Sequence, residues 1–384
     1  MSEVKYVVVN IVETLLRMLP FPCKTGVIKI GNPDRQSPVF LTCNFHLTVE
    51  RVKRALRGMD CYLLVANSRG INVWCAATGG LFTNHDAISA LKTSGIEDLV
   101  DHRQVVLPQL AAAGVEAKVV QKTTGWRIVW GPVYAKDIPA FVKDGFKKTP
   151  VMREAEFPWM QRVEAAVFWG FPTSIIIALF ALLFWREAVL SLVLLTWGMG
   201  LVILLSFPLY RHLIGSEGKK TGFISFERGG LQLILWGIFM LGLVAYATLV
   251  GNLTWGLVLR WGIASFAVIL IFSVDLRGFT PIYKGNFLDE EPIKVALDKN
   301  RCKGTGFCEQ VCPRNCFEVD RQRCTASTPR ADLCIQCGAC IVQCPFDALY
   351  FEGAQGEIIP PETTRRFKLN LMGKRLTRVS GDTD

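Results

Sequence analysis

No secretory signal opens this sequence of 384 residues. Its first ten residues, MSEVKYVVVN, carry charges within a short apolar run and lack a small-residue cleavage site, so we expect the chain to stay unexported. The sequence also lacks any RNA- or DNA-binding motif, which argues against nucleic acid as the partner of its net charge of +10. A basic chain of this kind suits the anionic cytoplasmic leaflet of a membrane.

Cysteine is scarce over most of the chain. Of the 13 cysteines, nine fall between Cys302 and Cys344. Such density in a chain without an export signal favours metal ligation over disulfides.

Long apolar runs are confined to the region between Ala165 and Val274, although the whole chain is 51% hydrophobic. Each run has about 20 residues, the length that crosses a bilayer core as a helix. We therefore predict a transmembrane domain with four helices, near residues 164–185, 188–209, 230–251 and 254–274.

Basic residues flank these spans unevenly. They precede the first span, fill the connection between the second and third, and follow the fourth: Lys147, Lys148, Arg153, Arg162, Arg211, Lys219, Lys220, Arg228, Arg277 and Lys284. The positive-inside rule then predicts a multi-pass protein of the cytoplasmic (inner) membrane, with both soluble domains in the cytoplasm. For Arg260, near the start of the fourth span, we favour snorkelling towards the surface over a place inside the bundle.

The first 160 residues alternate strand and helix patterns. The strand-length runs are SPVFLTCN, CYLLVA and WRIVWGPV. Helical spacing in TVERVKRALRG predicts a helix capped by Thr48 and ended by Gly58, and NHDAISALKTSG predicts one capped by Asn84 and ended by Gly95. The alternation predicts a Rossmann-like α/β domain with a mainly parallel sheet.

The chain is thus expected to be multi-domain. We predict an α/β domain at 1–160, a four-helix transmembrane domain at 161–284, an α+β ferredoxin domain at 285–355 and a basic C-terminal tail at 356–384.

The segment CIQCGACIVQCP has the spacing of a bacterial dicluster ferredoxin. Its thiols belong to Cys334, Cys337, Cys340 and Cys344. In this run three thiolates hold one cluster and the fourth reaches the other. Zinc sites rarely use this triple spacing, so we favour iron–sulfur clusters.

The first half of the ferredoxin motif, CKGTGFCEQVCP, is altered because Thr305 stands where the second cysteine belongs. Crossed ligation predicts one complete [4Fe–4S] cluster held by Cys312, Cys334, Cys337 and Cys340. The other site keeps Cys302, Cys308 and Cys344, which suits a [3Fe–4S] cluster, or a [4Fe–4S] cluster with a substitute ligand. Cys316 and Cys324 are nearby thiols that could supply this ligand or play no part.

Cys75 follows a buried strand and precedes small residues in the stretch RGINVWCAATGG. Three interpretations remain open on chemistry alone: a buried structural thiol, a nucleophile with a histidine base, or a metal ligand of a cofactor. Small neighbours would let a large planar ligand approach the backbone.

The segment GINVWCAA resembles the cap-helix motif of the mercury-methylating corrinoid proteins (HgcA-type), relatives of the large subunit of the corrinoid iron–sulfur protein. SPVFLTCNFHLTVERVKRAL, HRQVVLPQLAAAGVEAKVV and WRIVWGPVYAKDIPAFVKDGFKKTP are similar to that family too. CIQCGAC is similar to a segment of the ferredoxin partner (HgcB-type). The resemblance covers about residues 20–352, and the chain looks like the two proteins fused.

The resemblance implies a cobalamin-like corrinoid bound by the α/β domain. Cys75 would be the lower axial cobalt ligand and the catalytic residue, and the ferredoxin would re-reduce cobalt. The lower face of the site would be formed by Asn72, Val73, Trp74, Cys75, Ala76 and Ala77.

Three features depart from that family. Thr78 and Gly79 stand where it has Gly-Lys, no cysteine pair follows Cys344, and four spans are predicted where the family has five. These departures bear on mercury more than on the corrinoid.

The sequence therefore predicts membrane-anchored, corrinoid- and iron–sulfur-dependent methyl transfer, with Hg(II) one possible acceptor. Expected partners are the lipid bilayer, a methyl donor protein or methylated folate-type carrier, and a low-potential electron donor. Two alternatives stay open: a membrane electron-transfer ferredoxin without corrinoid, linked to quinone or a partner complex, and a scaffold subunit.

Overall fold

A computed structural model describes residues 3–17, 19–214, 220–221, 224–225, 230–274, 294–353 and 356–366. The described residues form two compact units. The first contains those of 1–10, 19–155 and 293–384, and the second those of 11–18 and 156–292. The α/β and ferredoxin parts, predicted as separate domains, thus share one compact unit. The predicted boundary at 284 and residues 367–384 of the tail lie outside the described residues.

The α/β part contains one five-stranded sheet. Its elements are α1 (Glu3–Leu15), β1 (Gly26–Ile30), β2 (Val39–Cys43), α2 (His46–Ala55), β3 (Cys61–Ala66), α3 (Val73–Thr78), α4 (Asn84–Thr93), α5 (Ile96–Leu99), β4 (Gln104–Pro108), α6 (Ala117–Thr124), β5 (Arg127–Gly131), α7 (Ile138–Lys143) and α8 (Pro150–Arg153). The strand order is β1-β3-β2-β4-β5. The last four strands are parallel and β1 is antiparallel to β3, so the sheet is mainly parallel as the alternation predicted.

The buried strands explain this sheet. Every residue of β2 and β3 is buried, which is the pattern of parallel strands covered on both faces. Strands β2 and β4 are neighbours, and the chain leaves them in opposite directions, from β2 to β3 on one side and from β4 to β5 on the other. Ligands of open α/β sheets bind outside the carboxyl ends of strands at such a switch point.

Two helix starts differ from the sequence prediction. Helix α2 begins at His46, so Thr48 lies inside it and is not its cap. Helix α4 is capped by Thr83, whose partner in a reciprocal capping box is Asp86, and Asn84 is its first residue. The sequence prediction missed this capping box because it started the helix one residue late.

The second unit consists of apolar helices: α9 (Trp159–Phe184), α10 (Val189–Leu205), α11 (Phe207–Ile214), α12 (Gly230–Leu249) and α13 (Trp255–Val274), with the short strands β6 (Lys220–Thr221) and β7 (Ile224–Ser225) between α11 and α12. Four are long and apolar enough to cross a membrane: Trp159–Phe184, Arg186–Leu205, Gln232–Leu249 and Trp255–Phe272. They correspond to the four predicted spans. Of the flanking basic residues, Lys219, Arg228, Arg277 and Lys284 lie outside the described residues.

Charged residues of this unit are compensated. Glu164 on α9 is buried, and a carboxylate oxygen lies 2.7 Å from Nη1 of Arg17. A buried charge needs such a partner because desolvation alone would be costly. Arg260 is exposed, and its guanidinium lies 5.5 Å from the ring centre of Trp185.

The ferredoxin part contains a short three-stranded sheet and a hairpin around the cysteine loops. Its elements are β8 (Lys294–Leu297), α14 (Phe307–Val311), β9 (Glu318–Asp320), β10 (Thr325–Ser327), α15 (Ala339–Gln343), β11 (Leu349–Glu352), β12 (Ile358–Ile359) and α16 (Pro361–Arg366). Left-handed backbone recurs at equivalent positions of its two halves. The pairs are Gly304 with Gln336, Gly306 with Gly338, and Asn315 with Asp347.

We predict that Gly114→Ala loosens α3. A Cβ at Gly114 would collide with the carbonyl oxygen of Phe82 and lie 2.9 Å from the Cα of Ala77. Backbone cannot move aside like a side chain, so the variant should lose about 1–3 kcal/mol of stability. Hydrogen exchange of the detergent-solubilised chain should rise locally at residues 73–82.

Gly125→Ala is the matched control. Gly125 has φ of 77° and open space around its Cβ position, so alanine there costs only about 1 kcal/mol of left-handed strain. Exchange at 73–82 should not change in this control. Equal exchange in both variants would show that Gly114 does not hold α3.

Candidate functional site

Cys75 differs from the cysteines inside the sheet. Cys43 and Cys61 are buried, and burial raises the pKa of each thiol to about 11. Cys75 lies on α3 beyond the carboxyl end of β3, and it is exposed. An exposed thiol at the carboxyl edge of the sheet is placed to meet a ligand, whereas Cys43 and Cys61 are packing residues.

Helix α3 begins at a side-chain cap. The side-chain amide oxygen of Asn72 accepts a hydrogen bond from the Cys75 backbone N–H at 3.0 Å. This bond satisfies one of the unpaired amides of the first turn and fixes the residue that carries the thiol. Thr78 donates its hydroxyl to the carbonyl oxygen of Trp74 at 2.8 Å, so both ends of the short helix have side-chain bonds.

The six residues predicted to form the lower face divide between two faces of α3. Val73, Ala76 and Ala77 are buried, whereas Asn72 and Trp74 are half-buried and Cys75 is exposed. The small residues pack on the segment Gln109–Ala113 and on Gly114. Their size is therefore explained by close packing inside the protein, while Cys75 faces outwards.

Asn44 holds the loop that leads into α3, and the sequence prediction missed it. Its side chain is 5% exposed and its oxygen accepts from the backbone N–H of Ser68 at 2.8 Å and of Gly70 at 3.0 Å. The Ser68 hydroxyl donates to the same oxygen at 3.0 Å. A polar residue directly after the buried strand β2 was the available signal.

The thiols of the predicted complete cluster lie together. Burial raises the pKa of the Cys340 thiol well above its ordinary value, and the nearby thiols of Cys334, Cys337, Cys312 and also Cys308 raise it further. Backbone amides also donate to the sulfurs: Cys316 N to Cys312 Sγ at 3.3 Å and Gln336 N to Cys334 Sγ at 3.4 Å. Such N–H···S bonds are among the features that tune iron–sulfur clusters.

The predicted three-thiol site is gathered around one small cavity. Cys302, Cys308 and Cys344 line it together with Thr305. Burial raises the pKa of the Cys308 thiol to about 12, so a metal would have to displace its proton. Ala348 N donates to Cys344 Sγ at 3.4 Å.

The two extra cysteines occupy different places. Cys316 is 1% exposed and hydrogen-bonds to the thiols of Cys312 and Cys334, and its bond lowers the pKa of Cys312 to about 7. It therefore lies beside Cys312 and Cys334 of the predicted four-thiol site. Cys324 is exposed, its thiol donates to the Arg321 carbonyl at 3.7 Å, and its backbone packs against Gly304.

Gln343 joins the ferredoxin part to the α/β part. Its side chain is 7% exposed, and Nε2 donates to the carbonyl oxygens of Ala112 and Val115 at 2.7 Å each. Its Oε1 accepts from the Ala117 N–H at 3.2 Å. Nothing in the cysteine spacing predicts this role, although Gln343 lies inside the motif, directly before Cys344.

Lys148 forms a second link. Its ammonium donates to Gln109 Oε1 at 2.6 Å and to the Gln310 carbonyl at 2.8 Å. Burial, with Arg153 nearby, lowers the pKa of Lys148 to about 7. A third link is the backbone bond from Ala155 N to the Pro313 carbonyl at 2.9 Å.

The segment Gln109–Ala113 therefore contacts the helices that carry residues of both candidate sites. Residues Gln109–Ala113 contact α3 on one side, and α14 and α15 of the ferredoxin part also contact them. Helix α3 carries Cys75, α14 carries Cys308 and α15 carries Cys340.

In comparison with known proteins, the α/β part and the ferredoxin part match two different families. Residues 17–142 match the family described as CO dehydrogenase/acetyl-CoA synthase delta subunit (CdhD), and residues 329–350 match the 4Fe-4S binding domain.

Curated relatives include gamma subunits of acetyl-CoA decarbonylase/synthase complexes. The subunit of Methanopyrus kandleri is 36% identical over 126 residues, which are 32% of this chain and 27% of the relative. That of Methanocaldococcus jannaschii is 32% identical over 149 residues, 38% of this chain and 29% of the relative. That of Archaeoglobus fulgidus is 35% identical over 116 residues, which are 30% of this chain and 24% of the relative.

The chain spans only about a quarter of the length of these relatives. The chain thus contains one segment similar to the CdhD family, residues 17–142, and one similar to the 4Fe-4S binding domain, residues 329–350.

Proposed function

We propose that this protein carries out corrinoid- and iron–sulfur-dependent methyl transfer while anchored in a membrane. The observation that carries the proposal is the exposed Cys75 on α3, packed on the same segment, Gln109–Ala113, that receives the ferredoxin part. The match of residues 17–142 to the CdhD family supports it.

The residues around Cys75 fit a corrinoid. A thiol suits a metal ligand, and it lies at the carboxyl edge of the sheet near the switch point, where such folds bind ligands. Asn72 and Asn44 hold the helix and its loop, so that the sulfur has a fixed position. When bound, the corrinoid supplies the cobalt centre and the transferable methyl group. Cys75 would hold the cobalt through its thiol, with Trp74 beside it.

The ferredoxin residues fit two clusters. Cys312, Cys334, Cys337 and Cys340 offer four thiolates, the set of a [4Fe–4S] cluster. Cys302, Cys308 and Cys344 offer three, with Thr305 at the position equivalent to Cys337. Gln343 fixes this part against the segment under α3, which favours electron delivery within one chain.

The four apolar helices would anchor the protein in the cytoplasmic membrane, with both soluble parts in the cytoplasm. The methyl donor would be a protein or a methylated folate-type carrier, and reducing equivalents would come from a low-potential donor. Hg(II) is one methyl acceptor to test.

A membrane electron-transfer protein without corrinoid is the second candidate, favoured by the four spans joined to a ferredoxin. The two candidate functions are distinguished by extracting and identifying the cofactors from membranes of a corrinoid-making host that expresses the full chain. A stoichiometric corrinoid supports the first function, and iron and sulfide alone support the second.

We predict that Cys75→Ala changes the visible spectrum of the corrinoid-loaded protein. The thiol is exposed, so its loss should alter stability by less than about 0.5 kcal/mol. The cobalt ligand set would change, and the absorption bands should shift. Cys61→Ala is the control, because this buried thiol should affect stability and leave the spectrum alone. An unshifted spectrum with bound corrinoid in Cys75→Ala removes Cys75 from the ligand set.

We predict that the site at Thr305 gives a [3Fe–4S] signal in electron paramagnetic resonance after mild oxidation. A threonine hydroxyl remains protonated near neutral pH and is harder than sulfur, so it is a poor fourth iron ligand. Thr305→Cys should abolish the signal and add one iron per chain.

Cys316→Ala is the matched control for this prediction, because Cys316 lies with the four-thiol site and should leave the [3Fe–4S] signal intact. Two oxidation-resistant [4Fe–4S] clusters in the unaltered protein would contradict the three-ligand site. Loss of one of them in Cys324→Ser would then identify Cys324 as the ligand.

We predict that Gln343→Glu slows reduction of the bound corrinoid by the reduced clusters. A carboxylate has no N–H for the carbonyls of Ala112 and Val115, and each buried group left unsatisfied costs about 1–3 kcal/mol. The stopped-flow rate should fall at least about tenfold, as for a loss of 1.4 kcal/mol. Cluster signals should stay unchanged.

Gln322→Glu, on the exposed turn between β9 and β10, makes the same chemical change and should leave the rate unaltered. An unchanged rate in Gln343→Glu would mean that this docking contact is not needed for electron transfer.

A further inference from the structure

A cavity of about 870 Å³ lies within the first compact unit, between the α/β and ferredoxin parts. Its walls come from α6, the edge strand β5, the segment Phe146–Arg153, and the ends of α14 and α15. Cys75 does not line it. The volume falls in the range of small-molecule sites, about 300–1,000 Å³.

Cationic side chains dominate the walls. Seven basic and three acidic residues line the cavity. The basic residues are Lys118, Arg127, Lys147, Lys148, Arg153, Arg321 and Arg365, and the acidic residues are Glu116, Glu309 and Asp347. The acidic residues are already engaged, because Arg365 pairs with Glu116 and Asp347, and Arg153 lies 3.6 Å from Glu309.

Five of the cations have no acidic partner among the described residues: Lys118, Arg127, Lys147, Lys148 and Arg321. Surface cations are often only solvated. Here they share one concave space, in which their potentials add and attract counter-ions.

Two buried donors in the same walls also lack acceptors in the part of the chain that the structure describes. Trp130 is 4% exposed and its indole N–H has no hydrogen-bond partner, and Nε of Arg153 has none either. A buried donor left unpaired costs about 1–3 kcal/mol, but neither of these two atoms is accessible from the cavity, so the proposal rests on the cations.

We propose that this cavity binds a small soluble polyanion carrying at least two carboxylate or phosphate groups. Lys118 on α6 and Arg321 on the ferredoxin part would hold it from opposite parts of the chain. Burial and the neighbouring Arg153 lower the pKa of Lys148, and a bound anion would raise it.

The occupant would lie beside an iron–sulfur site. Cys344 lines both this cavity and the small cavity shared by Cys302, Thr305 and Cys308. A bound anion should therefore perturb the cluster signal at Thr305, which gives the test a spectroscopic readout. The cavity is independent of Cys75, so the proposal stands or falls separately from methyl transfer.

The test is calorimetric titration of the cluster-loaded full chain in detergent, with pyrophosphate and with citrate as probes. We expect saturable binding with one site per chain, a change in the cluster resonance at saturation, and weakening by added salt. No heat of binding by either probe at low salt would overturn the proposal.

Variants locate the site. Lys118→Gln combined with Arg321→Gln should weaken binding at least about tenfold, or 1.4 kcal/mol. Lys122→Gln is the matched control, since Lys122 lies on the same helix, is exposed and does not line the cavity. Equal affinity in the double variant and the control would place the anion elsewhere and overturn the proposal.

Discussion

The close approach of α3 to residues 109–114 is the contact on which the candidate site depends. Gly114 has no side chain, and a Cβ there would lie 2.8 Å from the carbonyl oxygen of Ala77. Ala76 and Ala77 complete the approach, each fully buried. Because α3 sits this close, its outer face carries Cys75 in a fixed place, while its inner face rests on the segment that also meets the ferredoxin part.

Much of this organisation could be predicted from the sequence. The cysteine spacing predicts two groups of thiols, because ligand spacing is a local property of the chain. Cys302, Cys308 and Cys344 line one small cavity with Thr305, and their ligation of a cluster stays a prediction. The four apolar runs were equally visible, since their length and composition suffice. The predicted helix caps at Thr48 and Asn84 were wrong, because helix ends depend on backbone geometry that composition describes poorly.

Other parts of the site depend on contacts between residues that are distant in sequence. Asn44 meets Ser68, and Gln343 meets Ala112 and Val115 from more than two hundred residues away. No periodicity records such pairs. The small residues after Cys75 show a further limit: their size suggested room for a planar ligand, whereas they are packed inside the protein. The same pattern of small side chains serves either purpose, and only burial distinguishes them.

The joining of the α/β and ferredoxin parts in one compact unit also has a kinetic consequence. A ferredoxin that had to diffuse to its acceptor would deliver electrons in a second-order reaction, limited by encounter at typical rates of about 10⁵–10⁷ M⁻¹s⁻¹. A carrier held by Gln343 and Lys148 acts at a high and constant effective concentration instead. If the ferredoxin part reduces the corrinoid as proposed, electron delivery is a first-order process whose rate does not change when the protein is diluted.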